Sequence, residues 1–355
     1  MRINRSDRLS TPVKLLLLSI ALMILTHEMR ELSSILLLLF FSFFTALTFA
    51  PLVHRLQKKG VPPILSVGLV VLLLILIIVL LGLLTVVTIT QLNERIPTYQ
   101  TELINLTENI LRATPFIEGM SISMILDNIG SSLLSFGFGI FNSIVNTTTA
   151  ITLIIIVTAF ILLDAAGTSE QMQKEFQKEF VLLAKLHDFS KVVVDYIIVR
   201  TKTNFITGLG VAIVLLIGGI DFALFWGLVM FVFSYIPYIG LFLASLPPAF
   251  LALLEYGPVG AIVVLAVIWI INMLAEDVLF PSLAGKGLKM SPTVALLSLI
   301  YWVYVLGPAG ALIAMPLTMS IKIIVESFEE TEELAKLMNS KEVYEKRKEL
   351  DDQDD

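Results

Sequence analysis

The composition of the chain places it in a membrane. Of its 355 residues, 57% are hydrophobic and 15% are charged, and the mean hydropathy is +0.90, which excludes a soluble globular protein. The formal charge of −6 arises in residues 326–355, where 12 acidic residues outnumber 5 basic ones, so the rest of the chain carries 19 basic and 18 acidic residues. The lack of cysteine excludes disulfides, thiolate metal sites and cysteine nucleophiles.

Residues 1–92 are predicted to contain the first three transmembrane helices, at 13–26, 32–53 and 64–90. The first is expected to remain uncleaved, because a second apolar run follows it at once. The connector 55–59 carries three basic residues and no acidic one, and the N-terminus is also basic. By the positive-inside rule, both are expected on the cytoplasmic side.

Residues 93–143 are then expected to form an extracytoplasmic helical segment, because their apolar residues recur at helical spacing. A fourth transmembrane helix is predicted at 144–163. The next segment, 164–203, contains equal numbers of acidic and basic residues, and its apolar residues also recur at helical spacing. It is predicted to be a cytoplasmic amphipathic helix that lies on the membrane or on a neighbouring subunit, with a solvent-exposed coiled pair as the alternative.

Pro and Gly interrupt two long apolar runs in residues 204–325, the predicted transport region. The interruptions are Ser234–Gly240 and Gly307–Gly310. The helical arms beside them have about 14–15 residues each, or about 21–23 Å at the helical rise, whereas a bilayer core needs about 30 Å. Broken or re-entrant hairpins are therefore predicted at 222–254 and 293–325, because unpaired backbone is tolerated only in protein or in a cavity.

Two further spans are predicted before these hairpins, at 204–220 and 258–275. The expected fold class is therefore all-α: a polytopic membrane protein with about six full transmembrane helices plus the two hairpins. A weak Gly-x-x-x-Ala similarity links the hairpins, since it begins at Gly240 and again at Gly310. The hairpins would form an inverted repeat if they entered from opposite sides, and broken helices of this kind mark binding sites in secondary transporters.

Three motifs in this region carry a resemblance to a known family. They are Tyr235-Ile236-Pro237-x-Ile239-Gly240, Pro281-x-x-x-Gly285-Lys286-Gly287-Leu288 and Gly307-Pro308-x-Gly310-x-x-x-x-x-Pro316. With the sequence around them, across about 196–326, they resemble the autoinducer-2 exporter family of bacterial permeases. The resemblance implies an inner-membrane homo-oligomeric transporter, a pentamer, that exports a small polar signalling molecule; other members are described as sodium/proton antiporters.

Polar residues at membrane depth are the first candidates for a transport pathway. Asn272 and Glu276 are predicted to lie one helical turn apart on one face, and Asp277 follows them. These side chains either line the pathway or lie at the membrane interface, where the acids would meet water or pair with Lys286 or Lys289. A carboxylate within the pathway would also allow coupling to protons.

The interruptions themselves supply further candidates. Pro237 and Gly240 are expected to open the first hairpin, because proline lacks a backbone donor and glycine relaxes the backbone, which frees carbonyls and amides for a ligand. Pro308 and Gly310 have the same expected role in the second hairpin. A purely structural kink is the alternative at each position.

Three more polar side chains have two interpretations each. Tyr235 is predicted to hydrogen-bond a polyol-like solute, with aromatic packing as the alternative. Asn204 is a candidate for the polar lining, although a structural role is favoured for an Asn near the start of a helix. Asp221 is well placed to cap the helix that begins the first hairpin, and this role is favoured over contact with a substrate.

The sequence contains no P-loop, no metal-ligand spacing and no Ser/His/Asp set. The chain is therefore expected not to be an enzyme, to need no cofactor and not to use ATP directly. The first hypothesis is a permease that exports a small polar metabolite or signalling molecule, such as autoinducer-2, by alternating access, with residues 204–325 moving against 1–163. Sodium/proton antiport is the alternative.

A non-transporting scaffold or sensor is the second alternative, with 91–143 and the acidic cytoplasmic tail 326–355 binding its partners. The broken helices count against it, because a scaffold needs no unpaired backbone in lipid. The expected partners are a small polar solute, the lipid bilayer and further copies of the chain, and no nucleic acid. The expected location is the bacterial inner membrane, with both termini cytoplasmic.

Overall fold

The regular secondary structure of the protein is helical. The computed structural model describes residues 11–113, 139, 148–167, 181–284, 290–326 and 338. In chain order the main elements are α1 (Thr11–Glu31), α2 (Ser33–Lys58), α3 (Pro63–Ala113), α4 (Thr148–Gly167), α5 (Val181–Ile217), α6 (Ala223–Phe233), α7 (Ile239–Met273), a π-helical segment (Leu274–Leu279), α8 (Phe280–Ala284), α9 (Pro292–Leu306) and α10 (Pro308–Glu326).

Five stretches of the described residues are long and apolar enough to cross a membrane. They are Ser33–Lys58, Pro63–Leu106, Thr149–Ala166, Val193–Ile217 and Ile239–Leu283. These five correspond to five of the six predicted spans, whereas the first predicted span, 13–26, lies in α1, which is not one of the five. The predicted class, an all-α polytopic membrane protein, is confirmed.

Two helices extend well beyond the spans predicted within them. Helix α3 has 51 residues, about 77 Å at 1.5 Å per residue, so it exceeds a bilayer core of about 30 Å. Its C-terminal part therefore forms the start of the predicted extracytoplasmic segment. Helix α5 runs without interruption through residue 203, where the predicted cytoplasmic segment gives way to a span.

Several predicted segments fall partly outside the described residues. This applies to 114–138 and 140–143 in the extracytoplasmic segment, to 144–147 at the start of the fourth predicted span, and to 168–180 in the cytoplasmic segment. Most of the acidic tail and the loop 285–289, with Lys286 and Lys289, also fall outside.

The first hairpin consists of α6, a turn at 234–238 and the beginning of α7. Helix α6 has 11 residues, about 16 Å, which is too short to cross a bilayer core of about 30 Å. The turn depends on Gly240, because a Cβ atom there would lie 1.8 Å from the Phe233 carbonyl oxygen. Only glycine allows the backbone of α7 to approach α6 this closely.

Two Gly-Pro pairs break the helices that follow. Gly257 has φ 70° and ψ −169° within α7, and Gly307 has φ 71° and ψ −164° between α9 and α10. This backbone region is accessible almost only to glycine, and the proline after each glycine starts the next helix without needing a donor. The break at Gly307 was predicted as an interruption, whereas the matching break at Gly257 was not singled out.

Helices α5 and α6 pack closely at a pair of glycines. A Cβ atom at Gly208 would lie 2.6 Å from the Gly227 carbonyl oxygen, and one at Gly227 would lie 2.5 Å from the Ala212 Cβ. Small residues at a helix crossing permit this approach in membrane proteins. The crossing fixes the turn at 234–238 beside the middle of α5.

Candidate functional site

A buried arginine on α5 organises the polar centre of the described structure. Arg200 is 8% exposed and lies within the candidate span Val193–Ile217. Its Nη1 donates to both carboxylate oxygens of Glu276, at 2.6 and 2.7 Å, and its guanidinium lies 5.6 Å from the centroid of the Phe280 ring. A charge in this environment is tolerated only when it is paired and hydrogen-bonded.

Arg200 also reaches the turn between α6 and α7. Its Nη2 donates to the backbone carbonyl of Ser234, a carbonyl at the C-terminal end of α6, where helices leave acceptors unpaired. One side chain therefore joins three elements: α5, the turn at 234–238 and the π-helical segment.

Two neighbours of Arg200 on α5 hydrogen-bond Tyr235 in the same turn. Asn204, with its amide oriented to suit its neighbours, accepts from the Tyr235 backbone N–H at 3.3 Å and donates to the Arg200 carbonyl at 3.3 Å. The hydroxyl groups of Thr201 and Tyr235 are 2.7 Å apart. Within this turn, the Ser234 carbonyl and the Tyr235 amide are thus bonded to side chains of the protein, not left open for a ligand.

The carboxylate partner comes from an unusual piece of backbone. Glu276 and Asp277 lie in the π-helical segment, a form that is rare and often found at functional sites. The Glu276 side chain is turned toward Arg200 and keeps 33% of its surface exposed, whereas Asp277 is exposed and Asn272 is half-buried. The structure therefore joins Glu276 with Asn204 and Tyr235 through Arg200, while the roles of Asn272 and Asp277 in a pathway stay predictions.

The second break is held by packing between α9 and α10. A Cβ atom at Gly310 would lie 2.2 Å from the Trp302 carbonyl oxygen, so glycine permits the close approach that closes this hairpin. The Trp302 indole Nε1 donates to Thr318 Oγ1 at 2.8 Å across it. Pro308 is the first residue of α10. A ligand role for Pro308 and Gly310 stays a prediction.

The turn of the first hairpin contacts the second hairpin. Ile236, in the turn of the first hairpin, packs against the buried cluster of the second hairpin that includes Trp302 and Ala314. Pro237 is the neighbour of Ile236 in the same turn. A displacement of the first turn therefore changes the packing of the second hairpin.

A second polar contact ties the extension of α3 to the turn before α6. The Tyr99 hydroxyl donates to Asp221 Oδ2 at 2.7 Å, and Arg95 Nε lies 3.5 Å from the same oxygen. Asp221 does not cap α6, so that expectation is wrong. The N-cap residue is Phe222, in a left-handed conformation and without a side-chain cap bond. The Asp221 carboxylate instead contacts Tyr99 and Arg95 of α3.

Arg200 is not among the site residues predicted from the sequence. It lies in 164–203, which was predicted to be a cytoplasmic segment, although the apolar residues before Arg200 continue into the predicted span 204–220. An arginine inside such a run was the available signal, because ionisable residues at membrane depth are rare and usually functional.

Comparisons with known proteins match the chain to one family over most of its length. The family model described as "AI-2E family transporter" matches residues 14–330. "AI-2 transport protein TqsA" of Escherichia coli (strain K12) is 26% identical over 332 residues, which is 92% of this chain and 96% of that protein.

Two other relatives show similar coverage. "Putative transport protein YhhT" of the same strain is 27% identical over 330 residues, covering 92% of this chain and 95% of the relative. A Borreliella burgdorferi protein named "Putative transport protein" is 31% identical over 282 residues, covering 78% and 77%.

Proposed function

The chain belongs to the AI-2E transporter family, and from this premise we propose that it exports a small polar metabolite, such as autoinducer-2, by alternating access without ATP hydrolysis. It is a multi-pass membrane protein. We place it in the bacterial inner membrane with both termini cytoplasmic, as a homo-oligomer, a pentamer. The observation that carries the proposal is the Arg200–Glu276 ion pair within the membrane-spanning helices.

The pair supplies what an apolar medium lacks, a group that binds polar atoms at membrane depth. An oxygen-rich solute replaces Glu276 on the guanidinium of Arg200, which presents several donors in a fixed plane. Because Arg200 also holds the Ser234 carbonyl, a change of its partner is transmitted to the turn at 234–238. In alternating access, this turn moves with residues 204–325 against residues 1–163.

The relative named as an AI-2 transport protein supports autoinducer-2 as the solute to test first. Its hydroxyl-rich character suits the N–H donors of Arg200. Exchange between Glu276 and solute oxygens keeps the N–H donors of the buried guanidinium hydrogen-bonded throughout the cycle, which offsets part of the cost of separating the two charges.

Sodium/proton antiport is a second candidate, and the exposure of Glu276 favours it. The carboxylate pairs with Arg200 while 33% of its side chain is left uncovered by the described residues, so an ion that enters the protein can reach it. Protonation removes the charge opposite Arg200 and weakens the pair, which would couple proton movement to the same turn.

Flux measurements in sealed liposomes separate the two candidates. The wild-type protein is reconstituted, and uptake of labelled autoinducer-2 is followed in parallel with the sodium-dependent response of an internal pH dye. The test variant is Glu276→Gln, and the matched control is Asp277→Asn, which removes the neighbouring exposed carboxylate outside the pair.

The export proposal expects wild-type uptake of the solute without a dye response, strongly reduced in Glu276→Gln and retained in Asp277→Asn. A sodium-driven dye response without solute uptake, lost in Glu276→Gln, would support antiport instead. Equal solute flux in wild type and Glu276→Gln would refute the role given to the ion pair.

A further inference from the structure

A large apolar cavity lies beside the polar centre, between the first helices of the chain and the hairpin helices. Its volume is about 700 Å³, within the range of about 300–1,000 Å³ for ligand sites. Helices α2 and α3 form one wall through residues such as Phe44 and Ile77, and α5 and α6 form the other through Leu209 and Leu224. Ile313 of α10 closes one side.

The chemistry of the walls excludes a polar occupant. Among the described residues that line the cavity none is charged, and those with a polar side chain are Thr45, Thr48, Thr201 and Tyr235. Thr48 donates to the Phe44 carbonyl and Thr201 to the Ile197 carbonyl, and Tyr235 is hydrogen-bonded to Thr201. A polar metabolite would lose its hydration here with little to replace it, so this cavity is distinct from the solute site proposed at Arg200.

The depth of the cavity in the membrane indicates the source of its occupant. Three of its walls, α2, α3 and α5, contain candidate membrane spans, so the cavity lies at the depth of lipid chains. Its rim is open, because Phe205, Leu209 and Leu224 are each about half exposed, at 59%, 48% and 54%. Apolar surface at this depth meets hydrocarbon rather than water.

We propose that this cavity binds the acyl chain of a bilayer lipid, wedged between the α2–α3 wall and the α5–α6 wall. The bound chain contacts Tyr235, whose ring also packs against Phe44 at 6.2 Å and Phe231 at 5.8 Å. The lipid therefore supports the turn at 234–238 through the ring of Tyr235. This inference concerns a second ligand and does not depend on which solute or ion the protein transports.

Native mass spectrometry of the detergent-purified protein tests this proposal. The protein is incubated with palmitoyl-oleoyl phosphatidylethanolamine, and bound lipids are counted at a detergent concentration that strips loosely held lipid. Leu209→Trp fills the cavity from its α5 wall. The matched control is Leu216→Trp, two turns further along the same helix, because Leu216 has a similar exposure of 55% and does not line the cavity.

We expect wild type and Leu216→Trp to retain one lipid per protomer more than Leu209→Trp retains. Leu224→Trp, on the α6 wall, should reproduce the loss and replaces Leu209→Trp if that variant does not fold. Equal lipid counts in all folded variants would overturn the proposal. So would a cavity variant that lowers the oligomeric state without changing the lipid count per protomer, because the cavity would then be filled by a second copy of the chain.

Discussion

Arg200 is the residue on which the polar centre depends. Removing a charge from water costs several kcal/mol even after relaxation, and this cost is offset only by good geometry and satisfied donors. Arg200 meets these conditions with Glu276 on one side and the Ser234 carbonyl on the other. Its planar group can bond both at once, whereas an ammonium group is a point charge on a flexible stem.

Replacing Arg200 by lysine should therefore distinguish the effect of the positive charge from the effect of the planar guanidinium. We expect Arg200→Lys to keep the attraction to Glu276 but to lose the bond to the Ser234 carbonyl, which lowers stability by about 1–3 kcal/mol and solute flux by about tenfold. Thermal unfolding in detergent and liposome uptake measure the two effects. Lys202→Arg, at an exposed position two residues away, is the control, and an Arg200→Lys protein with wild-type melting and flux would contradict the role given to the guanidinium.

At the scale of elements, the hairpins are closed by glycines in close contact with a preceding helix. Gly240 lies against the Phe233 carbonyl and Gly310 against the Trp302 carbonyl. These positions were predicted as openings for a ligand, with a structural kink as the alternative. The contacts give both glycines a packing role, and a role in ligand binding stays a prediction.

A methyl group at Gly240 should disrupt the first hairpin. We expect Gly240→Ala to lower stability by about 1–3 kcal/mol, because its Cβ would lie 1.8 Å from a backbone oxygen and the turn must shift. The control is Gly82→Ala in α3, where no atom lies within 4 Å of the added Cβ, and where alanine should stabilise the helix by up to about 1 kcal/mol.

Thermal unfolding of both variants in the same detergent measures the difference. If Gly240→Ala melts at the same temperature as Gly82→Ala or above it, the close approach of α6 and α7 does not limit stability.

At the scale of the whole molecule, orientation follows from charge. The connector after α2 is basic, and the extension of α3 follows the next span, so the two should lie on opposite sides of the membrane. Because the chain has no cysteine, a single introduced cysteine reports its own location without background.

Labelling with a membrane-impermeant maleimide tests this orientation. We expect Glu94→Cys to react in intact spheroplasts and Lys58→Cys to react only after permeabilisation; both native side chains are exposed. A cysteine-free wild-type sample gives the background. The reverse pattern, or equal reactivity at both positions before permeabilisation, would show that the proposed cytoplasmic placement of the connector after α2 is wrong.

Much of this architecture could be predicted from sequence because its causes are local. Long apolar runs are stable only in lipid or in a protein core, and Pro and Gly tend to interrupt helices. The first signal predicts the membrane spans, and the second predicts the broken hairpins. The same local logic applies to Gly257-Pro258, which has the backbone geometry of Gly307-Pro308 and could have been recognised by that similarity.

The sequence by itself determined an all-α membrane protein, its family resemblance and the places where its helices break. Only the tertiary structure decided that Arg200 pairs with Glu276, 76 residues further along the chain, and that α5 bonds the Ser234 carbonyl and the Tyr235 amide of the turn at 234–238. It also decided that α3 takes the Asp221 carboxylate and that an apolar cavity separates two walls of helices. The physical reason is that partners distant in sequence meet only when helices pack, and packing depends on contacts such as Gly208 with Gly227 that no local pattern specifies.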